Sequence, residues 1–145
     1  MKKHQMKFLL RHGSSETVNG LFQGADDKML RLIAKNPSTS PKHLDELSEN
    51  GDDIVLGNLV RNPSVQSHHL DRILKDEDSW TRSHVAFSPN VSPEQLDRMT
   101  NDPDEYVRSS VAESKFAHKR HLDKLSNDPD VHVQKTAIEN LQKRF

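Results

Sequence analysis

The sequence predicts an all-α protein, a solenoid of about five 26-residue repeats with two short helices in each. Three columns of residues recur at this spacing. They are Asn36-Pro37, Asn62-Pro63 and Ser88-Pro89; then Leu44-Asp45, Leu70-Asp71, Leu96-Asp97 and Leu122-Asp123; and then Asp26, Asp52, Asp78, Asp104 and Asp130. Self-similarity at one fixed period is the signature of stacked repeat architectures.

The composition agrees with a thin array. Of the 145 residues, 32% are hydrophobic and 30% are charged, and the net charge is -1. Disorder is disfavoured because so small a net charge does not hold a chain open. No Cys is present, which excludes disulfides and thiolate metal sites. The expected protein has no cofactor and no membrane span, and we expect it in the cytoplasm.

The repeat frame covers one domain, 1–145. It comprises a degenerate first repeat or cap at 7–32, four repeats at 33–58, 59–84, 85–110 and 111–136, and a C-terminal capping half-repeat at 137–145.

The repeat 85–110 shows how each pair of helices is specified. Ser92 is a suitable N-cap and Pro93 suits the first helical position. Asp104 caps the second helix, whose apolar stripe begins at Val107. Because helices of about ten residues are unstable alone in water, each repeat must bury its stripe against the next. Stacking of this kind gives a quasi-one-dimensional array.

The stretch Val107-Arg108 with Val111-Ala112, together with Asn62-Pro63, resembles the leucine-rich repeat variant family. The resemblance implies a right-handed superhelix related in shape to HEAT and armadillo arrays, with one helix of each pair often 3₁₀. It implies no common reaction, and most members are bacterial proteins presumed to bind other macromolecules. This chain departs from the pattern at Leu56 and Gln134, which occupy the arginine column, and in lacking a proline after Ser114.

An aromatic column marks the candidate partner-binding site. Its members stand just before the first core residue of each second helix, which is Val except for Thr81, and they are Ile54, Trp80, Tyr106 and His132. Phe87 lies seven residues after Trp80, and Arg61 lies seven residues after Ile54. Trp, Tyr and Arg are enriched at binding hot spots, so these side chains could form a stripe that binds a partner. Alternatively, the rings could fold over the edge of the core.

Other columns are assigned structural roles. The aspartates Asp52, Asp78, Asp104 and Asp130 are interpreted as helix caps. Arg82 and Arg108 each lie four residues after such an aspartate, at helical contact distance. Pairing with those caps, or with the Leu-Asp column of a neighbouring repeat, is favoured over a phosphate clamp.

The histidine column contains His43, His69 and His121, with Gln95 in the remaining position. We expect these side chains to form a solvent-exposed face that responds to pH below 7. No metal site is predicted, because packed helices lie about 8–10 Å apart and a zinc ligand must approach within about 2.1 Å.

The sequence predicts a non-catalytic scaffold, adaptor or regulator that binds another protein through the wall of second helices. The expected contacts are Arg61, Trp80, Phe87, Tyr106 and His132. No catalytic constellation or phosphate-binding glycine loop is present. The alternative is a HEAT-like protein that binds or processes nucleic acid, with Arg61, Arg82 and Arg108 on phosphates. A near-neutral charge makes that alternative less favoured. The sequence predicts neither the oligomeric state nor the identity of the partner.

Overall fold

The protein is described by a computed structural model over residues 3–145, and within that range it is helical with no strand. The α-helices are α1 (Lys3–His12), α2 (Ser15–Phe22), α3 (Asp27–Ala34), α4 (Pro41–Asn50), α5 (Asp53–Leu59), α6 (Ser67–Ile73), α7 (Ser79–Ser83), α8 (Pro93–Met99), α9 (Glu105–Glu113), α10 (Lys119–Leu125) and α11 (Val131–Arg144). A 3₁₀ turn at His84–Phe87 continues α7. The all-α prediction is confirmed.

The helices follow the repeat frame. The first helices are α2, α4, α6, α8 and α10, and the second helices are α3, α5, α7, α9 and α11. The degenerate repeat 7–32 therefore also contains a first helix, and its second helix begins there. An additional helix, α1, precedes this pair and was not predicted.

Local capping explains where the helices begin. Ser40 and Ser92 accept hydrogen bonds from backbone N–H groups of α4 and α8, and proline follows each of them at the first helical position. The second helices α3, α5, α7, α9 and α11 begin after the side-chain caps Asp26, Asp52, Asp78, Asp104 and Asp130. Each cap satisfies a backbone donor that has no partner within its own helix.

The contacts divide the chain into an N-terminal unit that ends at Arg72 and a C-terminal unit that begins at Ile73. Each has its own apolar core. In the N-terminal unit the fully buried side chains include Val18, Ile33, Leu44, Leu59 and Leu70. In the C-terminal unit they include Val85, Leu96, Val107, Leu122 and Val133.

A buried polar column joins one repeat to the preceding repeat inside each unit. The Asn62 amide donates 2.8 Å hydrogen bonds to the carbonyl oxygens of Ala34 and Asn36. In the C-terminal unit, the Asn140 amide donates to the Ala112 carbonyl at 2.7 Å, and the Ser114 hydroxyl donates to the Ala86 carbonyl. These bonds satisfy carbonyl groups near the ends of second helices, where the helix supplies no donor.

The same side chains shape the turn that follows each second helix. The Asn62 side-chain oxygen accepts the backbone N–H of Ser64 at 2.8 Å, and the Ser114 hydroxyl accepts that of Phe116 at 3.1 Å. Helix α9 therefore ends at Glu113 without the proline that follows Asn62. At the C-terminus, residues 137–145 continue α11 to Arg144 rather than beginning a separate helix.

Candidate partner-binding surface

Trp80, Tyr106 and His132 lie in the first turns of α7, α9 and α11, each two residues after the aspartate that caps its helix. Within the C-terminal unit, α7 packs against α9 and α9 packs against α11. The three side chains therefore occupy equivalent positions on consecutive packed helices.

The rings of this column are largely exposed. Tyr106 exposes 70% of its surface and Trp80 exposes 51%, and His132 is also exposed. The Trp80 indole meets the His84 ring edge-on, with ring centres 4.2 Å apart, and this contact covers part of the indole. Exposure on this scale matches a contact surface better than a ring folded over the core edge.

The other predicted contact residues are placed differently. Phe87 is half-buried at the end of the 3₁₀ turn. Arg61 is exposed in the N-terminal unit, where its guanidinium donates to the Gly57 carbonyl at 2.9 Å. Tyr106 and His132 line one groove with Glu105, whereas Phe87 and Arg61 do not line that groove.

The two column arginines pair with aspartates that the sequence analysis did not assign to them. Arg82 makes a bidentate contact with Asp102, with both N–O distances 2.9 Å. Arg108 contacts Asp128 in the same way at 2.8 and 3.1 Å. The predicted partners were the caps Asp78 and Asp104 or the Leu-Asp column, and that prediction was wrong.

The arginines pair with different aspartates than predicted because the long arginine side chain extends beyond its own helix. The Arg108 guanidinium also donates to the carbonyl oxygens of Asp102 and Pro103, in the loop before its own helix. Asp128, one repeat on, accepts the backbone N–H of Asp130 at 2.9 Å. Each arginine thus clasps the loop of its own repeat to the loop of the next repeat.

Charge supports these clasps. Asp128 is 4% exposed and Arg108 is 13% exposed. Burial alone would raise the pKa of Asp128, but hydrogen bonds from Arg108 and from the Asp130 backbone lower it below its usual value. The hydrogen bonds that Arg82 and Arg108 donate to Asp102 and Asp128 raise the pKa values of the two guanidinium groups. Because these guanidinium groups are bound within the protein, they are poorly placed to contact phosphates.

The expectation of a solvent-exposed histidine face was wrong. His69 and His121 are 0% and 1% exposed, and His43 is half-buried beneath the Phe22 ring, with ring centres 3.9 Å apart. His121 Nδ1 accepts the backbone N–H of His118 at 2.8 Å. The ring thus caps the start of its own helix, while its Nε2 faces the Pro93 carbonyl of α8 at 3.2 Å.

His69 and Gln95 cap α6 and α8 by the same geometry. His69 Nδ1 accepts the Gln66 backbone N–H, and Gln95 Oε1 accepts the Ser92 backbone N–H, both at 2.9 Å. This shared function explains why a glutamine stands in a histidine column.

Three side chains near the start of α6 come close enough to suggest a metal centre. Asp45 Oδ1 lies 2.9 Å from His68 Nε2 and 3.2 Å from His69 Nε2. However, His69 Nδ1 accepts the Gln66 N–H, so the neutral ring carries its proton on Nε2, facing Asp45. The Arg72 guanidinium also donates to Asp45 Oδ1 at 2.9 Å.

His68, His69 and Arg72 thus direct their N–H groups toward the Asp45 carboxylate. Hydrogen bonds from His68 and Arg72 lower the pKa of Asp45. Asp97 repeats the pattern with Arg120 at 2.9 Å and His121 at 2.9 Å, and the Arg120 hydrogen bond lowers the pKa of Asp97. The two aspartates of the Leu-Asp column therefore link consecutive first helices by ion pairs.

Sequence reasoning missed the acidic groove that lies between α9 and α11. Glu105 and Glu113 line it together with Tyr106. Neither glutamate belongs to a column of constant residue type, because their counterparts one repeat earlier are Ser79 and Phe87. Repeat columns reveal residues that maintain the stack, and a groove of variable residues leaves no such signal.

No family model, curated protein or solved structure matches this chain. Within residues 3–145, no helix combines the length and apolar character needed to cross a membrane.

Proposed function

We propose that this protein is a non-catalytic scaffold that binds another protein through the first turns of α7, α9 and α11. The observation that carries the proposal is the exposure of Trp80 and Tyr106. They are the single Trp and the single Tyr of the chain, and they occupy equivalent turns of adjacent helices. Large aromatic side chains in such positions are typical of binding hot spots.

The turns that carry these rings are well ordered by hydrogen bonds. The Asp104 carboxylate accepts the backbone N–H of Tyr106 at 2.9 Å, and Asp78 accepts both the N–H and the hydroxyl of Thr81. The Arg82 clasp follows in the next turn of α7. A surface held in its binding conformation loses less conformational entropy when a partner binds.

The proposal includes the right-handed superhelix and the family membership that the resemblance implies. Support comes from the hydrogen bonds that recur from one repeat to the next within each unit, such as those of Asn62 and Asn140. The competing nucleic-acid hypothesis loses support because Arg82 and Arg108 are clasped by aspartates.

The test is quantitative capture from extracts of the source organism with immobilised protein. We expect the double variant Trp80→Ala/Tyr106→Ala to lose the captured partner while its circular dichroism spectrum stays unchanged. The matched control is Phe8→Ala/Phe145→Ala, which removes two rings that are 63% and 64% exposed elsewhere in the chain. Equal capture by the double variant and the control variant would refute the proposed surface.

A further inference from the structure

The groove between α9 and α11 is an open cavity of about 400 Å³ on the proposed binding surface. Its lining residues come from both helices and from the cap of α11. They are Glu105, Tyr106, Ser109, Ser110, Glu113, Asp130 and His132.

The charge of this lining is negative. Three carboxylates face the cavity, and no lysine or arginine among residues 3–145 lines it. Asp130 accepts the Val133 backbone N–H and Glu113 accepts the Ser109 hydroxyl at 3.3 Å, so both use neutral donors. Arg108 interacts electrostatically with both Glu105 and Asp130, but its guanidinium is bound to Asp128. The groove therefore carries negative charge that the lining residues leave largely uncompensated.

The Tyr106 ring is a second feature, independent of the charge. Its 70% exposure leaves a π-face accessible on the wall of the acidic groove. A cation that packs on an aromatic face gains electrostatic stabilisation from the ring quadrupole. The Tyr106 ring can therefore pack against an arginine guanidinium plane or a lysine methylene chain. The groove carboxylates can accept hydrogen bonds from the N–H groups of the same side chain.

We propose that this groove binds a lysine or arginine side chain of the partner protein. The inference rests on the proposed function and specifies the chemistry that the surface recognises. The carboxylates that line the groove accept hydrogen bonds from the cation while its stem lies against Tyr106. The occupant is a basic protein segment, because a nucleic-acid backbone carries the same sign of charge as the groove.

The preceding repeat indicates which kind of residue lies next to that lysine or arginine in the partner segment. Trp80 and Phe87 hold the positions one repeat before Tyr106 and Glu113. The first of these positions is aromatic in both repeats, whereas the second is aromatic at Phe87 and acidic at Glu113. A partner segment with an apolar residue close to its lysine or arginine fits both.

The test uses an acetylated hexa-arginine peptide as probe and the full chain as receptor. Because the chain contains one Tyr, the ring signals of Tyr106 are an unambiguous NMR reporter. We expect these signals to shift saturably. We also expect Glu105→Gln/Glu113→Gln to weaken binding by about tenfold or more, since hydrogen bonds to charged groups are lost.

The matched control is Glu139→Gln, which alters the same repeat position one repeat on, outside the groove lining. Equal weakening by this control, or unshifted Tyr106 signals, would overturn the inference. So would displacement of the peptide by Ca²⁺ at equal concentration, because the groove would then be an inorganic cation site. If the charge variants retain the captured partner while Trp80→Ala/Tyr106→Ala loses it, the proposed function stands and this inference falls.

Discussion

Individual buried polar residues hold neighbouring repeats together. Asn62 is fully buried, and its amide satisfies two carbonyl groups of the preceding repeat while its oxygen orders the following turn. A buried carbonyl that loses its hydrogen-bond donor cannot bind water instead. Removing the donor therefore lowers the free energy of unfolding by more than the loss of one exposed hydrogen bond does.

We therefore predict that Asn62→Ala lowers the free energy of unfolding by about 2–3 kcal/mol, because two buried carbonyls lose their donor. Urea denaturation followed by circular dichroism measures this loss. Asn50→Ala is the control, since the Asn50 amide makes one exposed bond within α4, to the Glu46 carbonyl at 3.3 Å. A loss no larger than that of the control would contradict the role assigned to Asn62.

The roles of some residues could be predicted from the sequence. Whether a role is predictable depends on how far apart in the chain the interacting residues lie. Ser92 and Asp104 were predicted as caps because capping depends on residues only two or three positions away. Asn62 was noted for its spacing, but its donor role depends on a carbonyl 28 residues earlier in the chain. Such a distant contact leaves no local signature.

At the scale of the helix, the buried His121 ring caps the start of α10 in the position where a glutamate or glutamine side chain is usual. The His121 ring is surrounded by Asp97 and the Pro93 carbonyl from α8 and by Arg120 and His118 from its own helix. Burial is the main reason that the pKa of His121 is lowered, and the neighbouring Arg120 and His118 act in the same direction. A second proton would also displace the His118 N–H from Nδ1.

Because the folded pKa of His121 lies below the unfolded value of about 6.5, its stabilising contribution is complete above that pH. The contribution is lost as the pH falls from about 6.5 through the folded pKa, since the unfolded state binds the proton first. Urea midpoints measured between pH 7.5 and pH 5 should therefore fall less steeply for His121→Gln than for the original chain.

Glutamine is the informative replacement because Gln95 already caps α8 with the same geometry. His4→Gln, at an exposed position of α1, is the control for replacing a histidine by glutamine outside the core. An unchanged pH dependence for His121→Gln would show that the buried ring does not carry this effect.

The arginine clasp connects α9 to the loop before α11. We predict a coupling energy of about 1–3 kcal/mol between Arg108 and Asp128 in a double-mutant cycle of Arg108→Met and Asp128→Asn. Urea denaturation of the four proteins measures it. The exposed pair Lys119–Asp123, at 2.8 Å within α10, should give no more than about 0.5 kcal/mol. Equal coupling in the two pairs would contradict a special role for the clasp.

Helix positions were easier to predict than the contacts between helices. The caps and prolines mark where α4 and α8 begin, because those residues act on their own backbone. The histidine column was expected to be exposed, but His121 is buried against Asp97 and the Pro93 carbonyl of α8. These contacts join residues more than 20 positions apart, so the local sequence does not indicate them.

At the scale of the whole molecule, the chain has few apolar residues, and most of them are buried in the cores of the two units. Trp80 and Tyr106 are among the large apolar side chains that stay exposed, although burying such rings is favourable. Their position could be predicted from the repeat column, whereas their exposure and the acidic groove beside Tyr106 could not. Both depend on how far adjacent second helices stand apart.

Site-specific photo-crosslinking in cells of the source organism tests the central claim most directly. Benzoylphenylalanine replaces Trp80 or Tyr106 in one set of variants and Phe145, 64% exposed at the end of α11, in the control. We predict that irradiation attaches the same protein to the variants at positions 80 and 106 and attaches none to the control. Identical adducts at position 145, or no adduct at positions 80 and 106, would contradict the proposed partner-binding surface.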